Sequence, residues 1–206
     1  MPTSGLVGQF TYSDGTTVAN DRFGRQGDKI VTELNGRYYE QVSRGNTFIA
    51  CSQAVATTTV GLATTYTGLC LSNPIASGKN LVLLYASMNQ SVIQATQVEA
   101  FLLATGSSPT TNVTHTAAAT IQSAMVGSNL VAAVGKADTS ATLPVAPLYS
   151  LPLTNTATAT QNAPGDCIEL AGSIVLAPGA YAAFVTPAQA SVAGMWFSFT
   201  WAEVPV

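Results

Sequence analysis

The chain has one histidine, His115, in the run Asn112-Val-Thr-His-Thr-Ala117. Zinc and iron sites draw on several imidazoles or on paired thiolates. Neither a second histidine nor a Cys-x-x-Cys pair is present to complete such a set. As a general base His115 would need a nucleophile and a third, orienting group, and no Gly-x-Ser-x-Gly elbow singles out a serine. Asp166 and Glu169 suggest a carboxylate pair for glycoside hydrolysis, but on a strand their spacing turns them to opposite faces, as solubilising charges. Ser77-Gly-Lys-Asn80 has the look of a phosphate loop, yet Asn73 stands where that motif needs a glycine and Asn80 where it needs Ser or Thr. Asn89-Gln-Ser91 and Asn112-Val-Thr114 match the glycosylation tripeptide, a frequent chance match. The three cysteines, Cys51, Cys70 and Cys167, are odd in number and set among apolar residues, as small buried hydrophobes are. No catalytic residue, metal ligand or cofactor site is assigned from the sequence, and His115 reads as a solvated loop residue.

The elements that would position these groups are strands. From Thr47 onward the segments are short, β-branched and bounded by Gly, Pro, Asn and Ser. The clearest closes the chain: Met195, Phe197, Phe199 and Trp201 alternate with smaller or polar neighbours, which places one large apolar row on a single face. Leu81–Met88 is apolar on both faces and reads as a central strand covered on each side. Further strands are expected at 47–54, 65–71, 97–103, 119–125, 130–134, 148–153, 167–176 and 181–186, with long surface loops at 107–119 and 154–164. Ala177-Pro-Gly-Ala180 marks a turn. Eight or more short strands without an internal repeat predict an all-β, jelly-roll-type sandwich, with a seven-stranded immunoglobulin-like sandwich as the alternative.

Charge divides the chain. Ten charged residues fall in the first 44 positions, and the seven others, Lys79, Glu99, Lys136, Asp138, Asp166, Glu169 and Glu203, are spread over residues 45–206. An ordinary soluble domain carries roughly 25% charge. A formal net charge of -3, with only two cations after position 44, argues against nucleic acid as a partner. No window holds the roughly 18 consecutive apolar residues of a spanning helix, and aromatics do not recur in the paired girdles of a membrane barrel. The first residues lack the basic and apolar regions of a secretory signal, so synthesis in a cytoplasm is expected.

The predicted organisation is an extended, irregular N-terminal arm over 1–44 and the sandwich over 45–206. An isolated arm of this glycine-rich composition cannot offset its ordering entropy, so it orders against a partner or its own domain. Aromatic residues and arginine dominate interface hot spots, and arginine forks pair carboxylates bidentately. The candidate anchors are therefore Phe10, Tyr12, Arg22, Arg25, Arg37, Tyr38, Tyr39 and Arg44; for Tyr38 and Tyr39 a first strand packed on the core is an equal alternative.

Three stretches carry a resemblance: Tyr38-Tyr-Glu-Gln-Val-Ser-Arg-Gly-Asn-Thr-Phe48; Gly68-Leu-Cys-Leu-Ser-Asn-Pro74 with Gly78-Lys-Asn-Leu-Val-Leu-Leu84; and Pro178-Gly-Ala-Tyr181 with Ser198-Phe-Thr-Trp-Ala-Glu-Val-Pro205. Together they resemble tailed-bacteriophage virion structural proteins, above all the decoration or cement proteins of capsids. That resemblance implies a jelly-roll domain, commonly trimeric, bound between capsomers, with the major capsid protein as partner and a terminal segment gripping the shell. A tail or fibre protein, or a glycan-binding jelly roll, is the alternative; the two long loops contain no Trp, Tyr or Phe to form a sugar platform.

Overall fold

The computed structural model describes residues 10–11, 18–19, 36–52, 63–90, 101–128, 132–154, 166–186 and 194–206. The chain divides into two compact units, Met1–Tyr39 and Glu40–Val206. In the first, β1 (Phe10–Thr11) pairs antiparallel with β2 (Val18–Ala19), Phe10 opposite Ala19. A five-residue helix, α1 (Tyr39–Ser43), follows the turn in which the Tyr39 N–H bonds the Gly36 carbonyl.

The second unit is an antiparallel two-sheet sandwich, as the strand grammar predicts. One sheet runs β10 (Leu148–Thr154), β6 (Phe101–Ser107), β13 (Ala180–Val185), β4 (Thr65–Ser72), β9 (Lys136–Thr142), β7 (Thr114–His115). The other runs β11 (Asp166–Glu169), β5 (Lys79–Gln90), β14 (Met195–Pro205), β3 (Thr47–Cys51), β8 (Ile121–Ser123), and β12 (Val175–Leu176) pairs with β5 beyond β11. Among the described residues no helix is long and apolar enough to cross a membrane.

The alternating row of β14 fills the space between the sheets: Met195, Phe197, Phe199 and Trp201 are buried, while Trp196 is 40% exposed. Phe184 of β13 crosses to meet it, its ring centroid 4.7 Å from Phe197 and 4.5 Å from Phe199. Each such ring contributes roughly 1.5–3 kcal/mol through burial, and this contact ties one sheet to the other.

Leu81–Met88 is not covered on both faces. Leu81, Leu83, Ala86 and Met88 point into the core, whereas Val82, Tyr85 and Ser87 are half-buried. The pairing explains why a doubly apolar run is needed: Thr200 lies opposite Tyr85 but Trp201 lies opposite Leu83, so Leu84 is an extra residue. This bulge switches the inward set from odd to even positions. The Leu84 carbonyl accepts the N–H groups of Leu170 and Ala171, which fixes the bulge in place.

The sheet containing β4 and β13 is buried on its outer face as well, in a second apolar cluster that includes Tyr66, Cys70, Leu143, Tyr181 and Val185. Residues 107–119, expected as a surface loop, are largely exposed but not irregular throughout: Val113 packs onto this face, and 114–118 form a strap along the edge of β9. Val113 is 7% exposed in the cluster, the Ser108 N–H bonds Gly179 O, and Thr116 and Thr139 exchange backbone bonds with Ser140 and Ala117. Tyr181 lies flat over Gly106, its register partner on β6, and its hydroxyl donates to Val145 O at 2.6 Å. A Cβ at position 106 would fall inside contact distance of the tyrosine hydroxyl and ring carbons. Gly106→Ala is therefore expected to cost about 1–3 kcal/mol by overpacking, read as a lower midpoint in urea.

Two further expectations are corrected. A strand at 130–134 is not formed over its described part, Ala132–Val134, because the Val134 N–H goes to the Glu203 carboxylate rather than to a ladder. The strand expected over 167–176 breaks after Glu169 at Ala171 and Gly172, both with positive φ.

Candidate functional site

The candidate anchors are placed as follows. Phe10 is in the β1–β2 pair, and Tyr12, Arg22 and Arg25 lie outside the described residues. The Arg37 guanidinium is 5.5 Å from the centre of the Tyr38 ring, a cation–π contact. Tyr38 is in the turn before α1 and Tyr39 is its first residue, 54% exposed. These two tyrosines are thus in a turn and a helix rather than in a first strand. Arg44 Nε donates to Glu40 Oε1 at 2.7 Å, an exposed i,i+4 pair worth about 0.3–0.5 kcal/mol. The structure brings together Arg37 with Tyr38, and Arg44 with a neighbour outside the candidate set.

His115, expected as a solvated loop residue, is only partly solvated. It lies on β7, half-buried, with Nε2 3.0 Å from Ser72 Oγ and Nδ1 3.4 Å from Asp138 Oδ2. Asp138 on β9 is fully buried. Its carboxylate accepts the Ala117 N–H on both oxygens, at 3.0 and 3.1 Å, and the Ser140 N–H at 2.7 Å. Burial pulls the His115 pKa below its ordinary value of 6.5; the carboxylate pushes the other way and is the smaller influence. A neutral ring protonated at Nδ1 would donate to Asp138 and accept at Nε2 from the Ser72 hydroxyl.

Carboxylate, imidazole and hydroxyl in this order are the components of a nucleophilic relay. The surroundings of Ser72 differ from those of a nucleophile. It ends β4 between β13 and β9, opposite Tyr181 on one side and Lys136 on the other, and is 3% exposed. A hydroxyl walled in this way has little direct approach from solvent. The cluster acts as a polar staple that holds the strap at 114–118 to the sheet through the buried carboxylate.

Because folding lowers the His115 pKa, the unfolded chain binds more protons just below pH 6.5, and linkage makes stability rise with pH there. The contribution is complete above 6.5 and is lost as pH falls toward the lowered folded value. Thermal melts between pH 5 and pH 7 should show this slope in the wild type and a flatter one in His115→Gln.

A second buried carboxylate caps the core. Glu203, 1% exposed, accepts the N–H groups of Val134 at 2.8 Å and Gly135 at 3.0 Å on Oε1, which is also 3.4 Å from Trp201 Nε1, and pairs through Oε2 with Lys79 Nζ at 3.1 Å. Its signal is in the sequence, since Glu203 continues the inward alternation of Phe197, Phe199 and Trp201. Asp138 had no such signal, because Ala117 and His115 meet it only through the sheet.

The burial of Asp138 and Glu203 leaves the described surface of the sandwich with Lys79, itself paired, and Lys136, Asp166 and Glu169 as its charged residues. Among the described residues no group of three or more His, Cys, Asp or Glu could hold a metal ion. Cys70 is buried, with its thiol pKa raised chiefly by burial, whereas Cys167 is exposed on β11, against the expectation that all three cysteines pack inside. Compared with models of known families, with curated proteins and with solved structures, the chain matches none.

Proposed function

We propose that this chain is a virion structural protein that decorates a tailed-phage capsid. Residues 1–44 grip the major capsid protein between capsomers, and the sandwich packs against its own copies on the outside of the shell. The observation that carries this reading is the surface chemistry of the sandwich: two of its seven charges are internal, so hydroxyl, amide and aliphatic groups far outnumber charges on what faces outward. Burying an unpaired charge costs several kcal/mol, whereas threonine and alanine are buried at little cost, so such a surface favours dense lateral packing.

The strand order supports a jelly roll. With the β7–β9 excursion set aside and β11 and β12 taken as one, eight strands remain, and the two sheets then read first–eighth–third–sixth and second–seventh–fourth–fifth. Two interlocked Greek keys give that order. An immunoglobulin-like sandwich does not pair its first strand with its last across the middle of a sheet.

The test is the copy number of the chain in purified particles from its source, by quantitative mass spectrometry against the coat protein. Hundreds of copies in simple ratio to coat protein are expected; a handful would move the chain to the tail, and absence would overturn the virion reading.

A further inference from the structure

The sandwich ends in two different open edges. At one, β8 and the turn after it leave Val126 85% and Met125 43% exposed beside a groove of about 630 Å³, floored by Phe48 and Ile121 and bordered by Lys136. At the other, β10 and β12 leave Leu148 74% and Val175 48% exposed beside a groove of about 430 Å³ lined by Val145 and Leu176. Strand β10 carries no charge along Leu148–Thr154 and, among the described residues, pairs on one side only. Natural edges are guarded against strand addition by charge, proline or bulges; this one lacks charge but has Pro152 and two register shifts, so it suits side-chain docking rather than strand addition.

The charges near the two edges have opposite sign. Lys136 borders the first groove, and Asp166 and Glu169 are on β11, the outer strand of the second edge. Two-fold pairing of either edge with itself would set like charge against like. Head-to-tail contact sets Lys136 against the carboxylates and leaves apolar groups on apolar groups, which supply the larger part of the attraction.

The geometry points to a second copy of this chain as the occupant: the β8 edge of one subunit docks on the β10/β12 edge of the next, and the repeated contact closes into a ring. The assignment rests on the reading of the sandwich as self-associating, and deepens it by naming the surfaces.

Val126→Glu and Leu148→Glu each spoil one edge at a highly exposed position, so the fold is retained, as circular dichroism will confirm. By light scattering on the purified full chain, the wild type should run as a closed oligomer of three or more subunits and each variant as a monomer. An equimolar mixture of the two variants retains one good edge of each kind and should form a 1:1 dimer. Either variant alone keeping the wild-type size, a mixture that stays monomeric, or a wild type that is a two-fold dimer would overturn the head-to-tail assignment. A wild type monomeric at all concentrations would overturn self-association itself. None of these outcomes depends on the particle copy number, so the ring and the virion reading fail separately.

Discussion

Glu203→Ala is expected to destabilise the sandwich by about 3–5 kcal/mol, the range found when one partner of a buried pair is removed. Four donors lose their acceptor at once: the backbone N–H groups of Val134 and Gly135, the Trp201 indole N–H and the Lys79 ammonium, which is 25% exposed. Each buried donor left without a partner costs about 1–3 kcal/mol, while Lys79 recovers part of its loss by turning to water. For a unit of this size the change corresponds to a fall of about 6–20 °C in melting temperature. Glu203→Gln keeps the shape and an acceptor for the two N–H groups and should lose less. Calorimetry on both variants and on Lys79→Met decides the point: if Glu203→Ala melted within about 2 °C of wild type, the carboxylate would not be holding residues 134–135.

Asp138→Ala is the second large effect, again about 3–5 kcal/mol by loss of a buried, hydrogen-bonded charge. Its consequence is more local. The carboxylate holds Ala117, Ser140 and His115, so its removal loosens the strap at 114–118 from the edge of β9. Hydrogen exchange should accelerate at Ala117 and Thr139 well before it does in β14. Asp138→Asn, which keeps the acceptor oxygen but not the charge, should protect the strap better than alanine. Uniform acceleration through both sheets would mean that the cluster supports the whole fold and not the strap alone.

Strands with their own apolar rhythm were legible in the sequence, and strands formed by their neighbours were not. Met195–Trp201 declared its inward row, and the Pro178-Gly179 turn before β13 declared itself by turn chemistry. Lys136–Thr142 reads as a turn-forming run of Asp, Thr and Ser, yet it is a strand because β4 and β7 bond it from both sides. Strand propensity yields to such pairing. Leu81–Met88 declared a strand but hid its bulge, since a run apolar on both faces does not say where the inward set changes parity. For the candidate site, single residues were visible and their meetings were not. His115, Ser72 and Asp138 are remote in sequence, and only the folding of 108–118 across the sheet brings them together.

The position of β14 has a consequence for how the protein is made. It lies between β3 and β5, and β13, also late in the chain, lies between β4 and β6. Pairs such as β4–β9, β3–β8 and β6–β10 can form early, but β3 is not joined to β5, nor β4 to β6, and their inward leucines have no aromatic row to meet, until β13 and β14 have been made. Closure is a late, cooperative event with many long-range contacts, of the kind that folds slowly. Until then β3, β4, β5 and β6 each present an unpaired edge, so the nascent chain is exposed to mispairing before the sandwich closes.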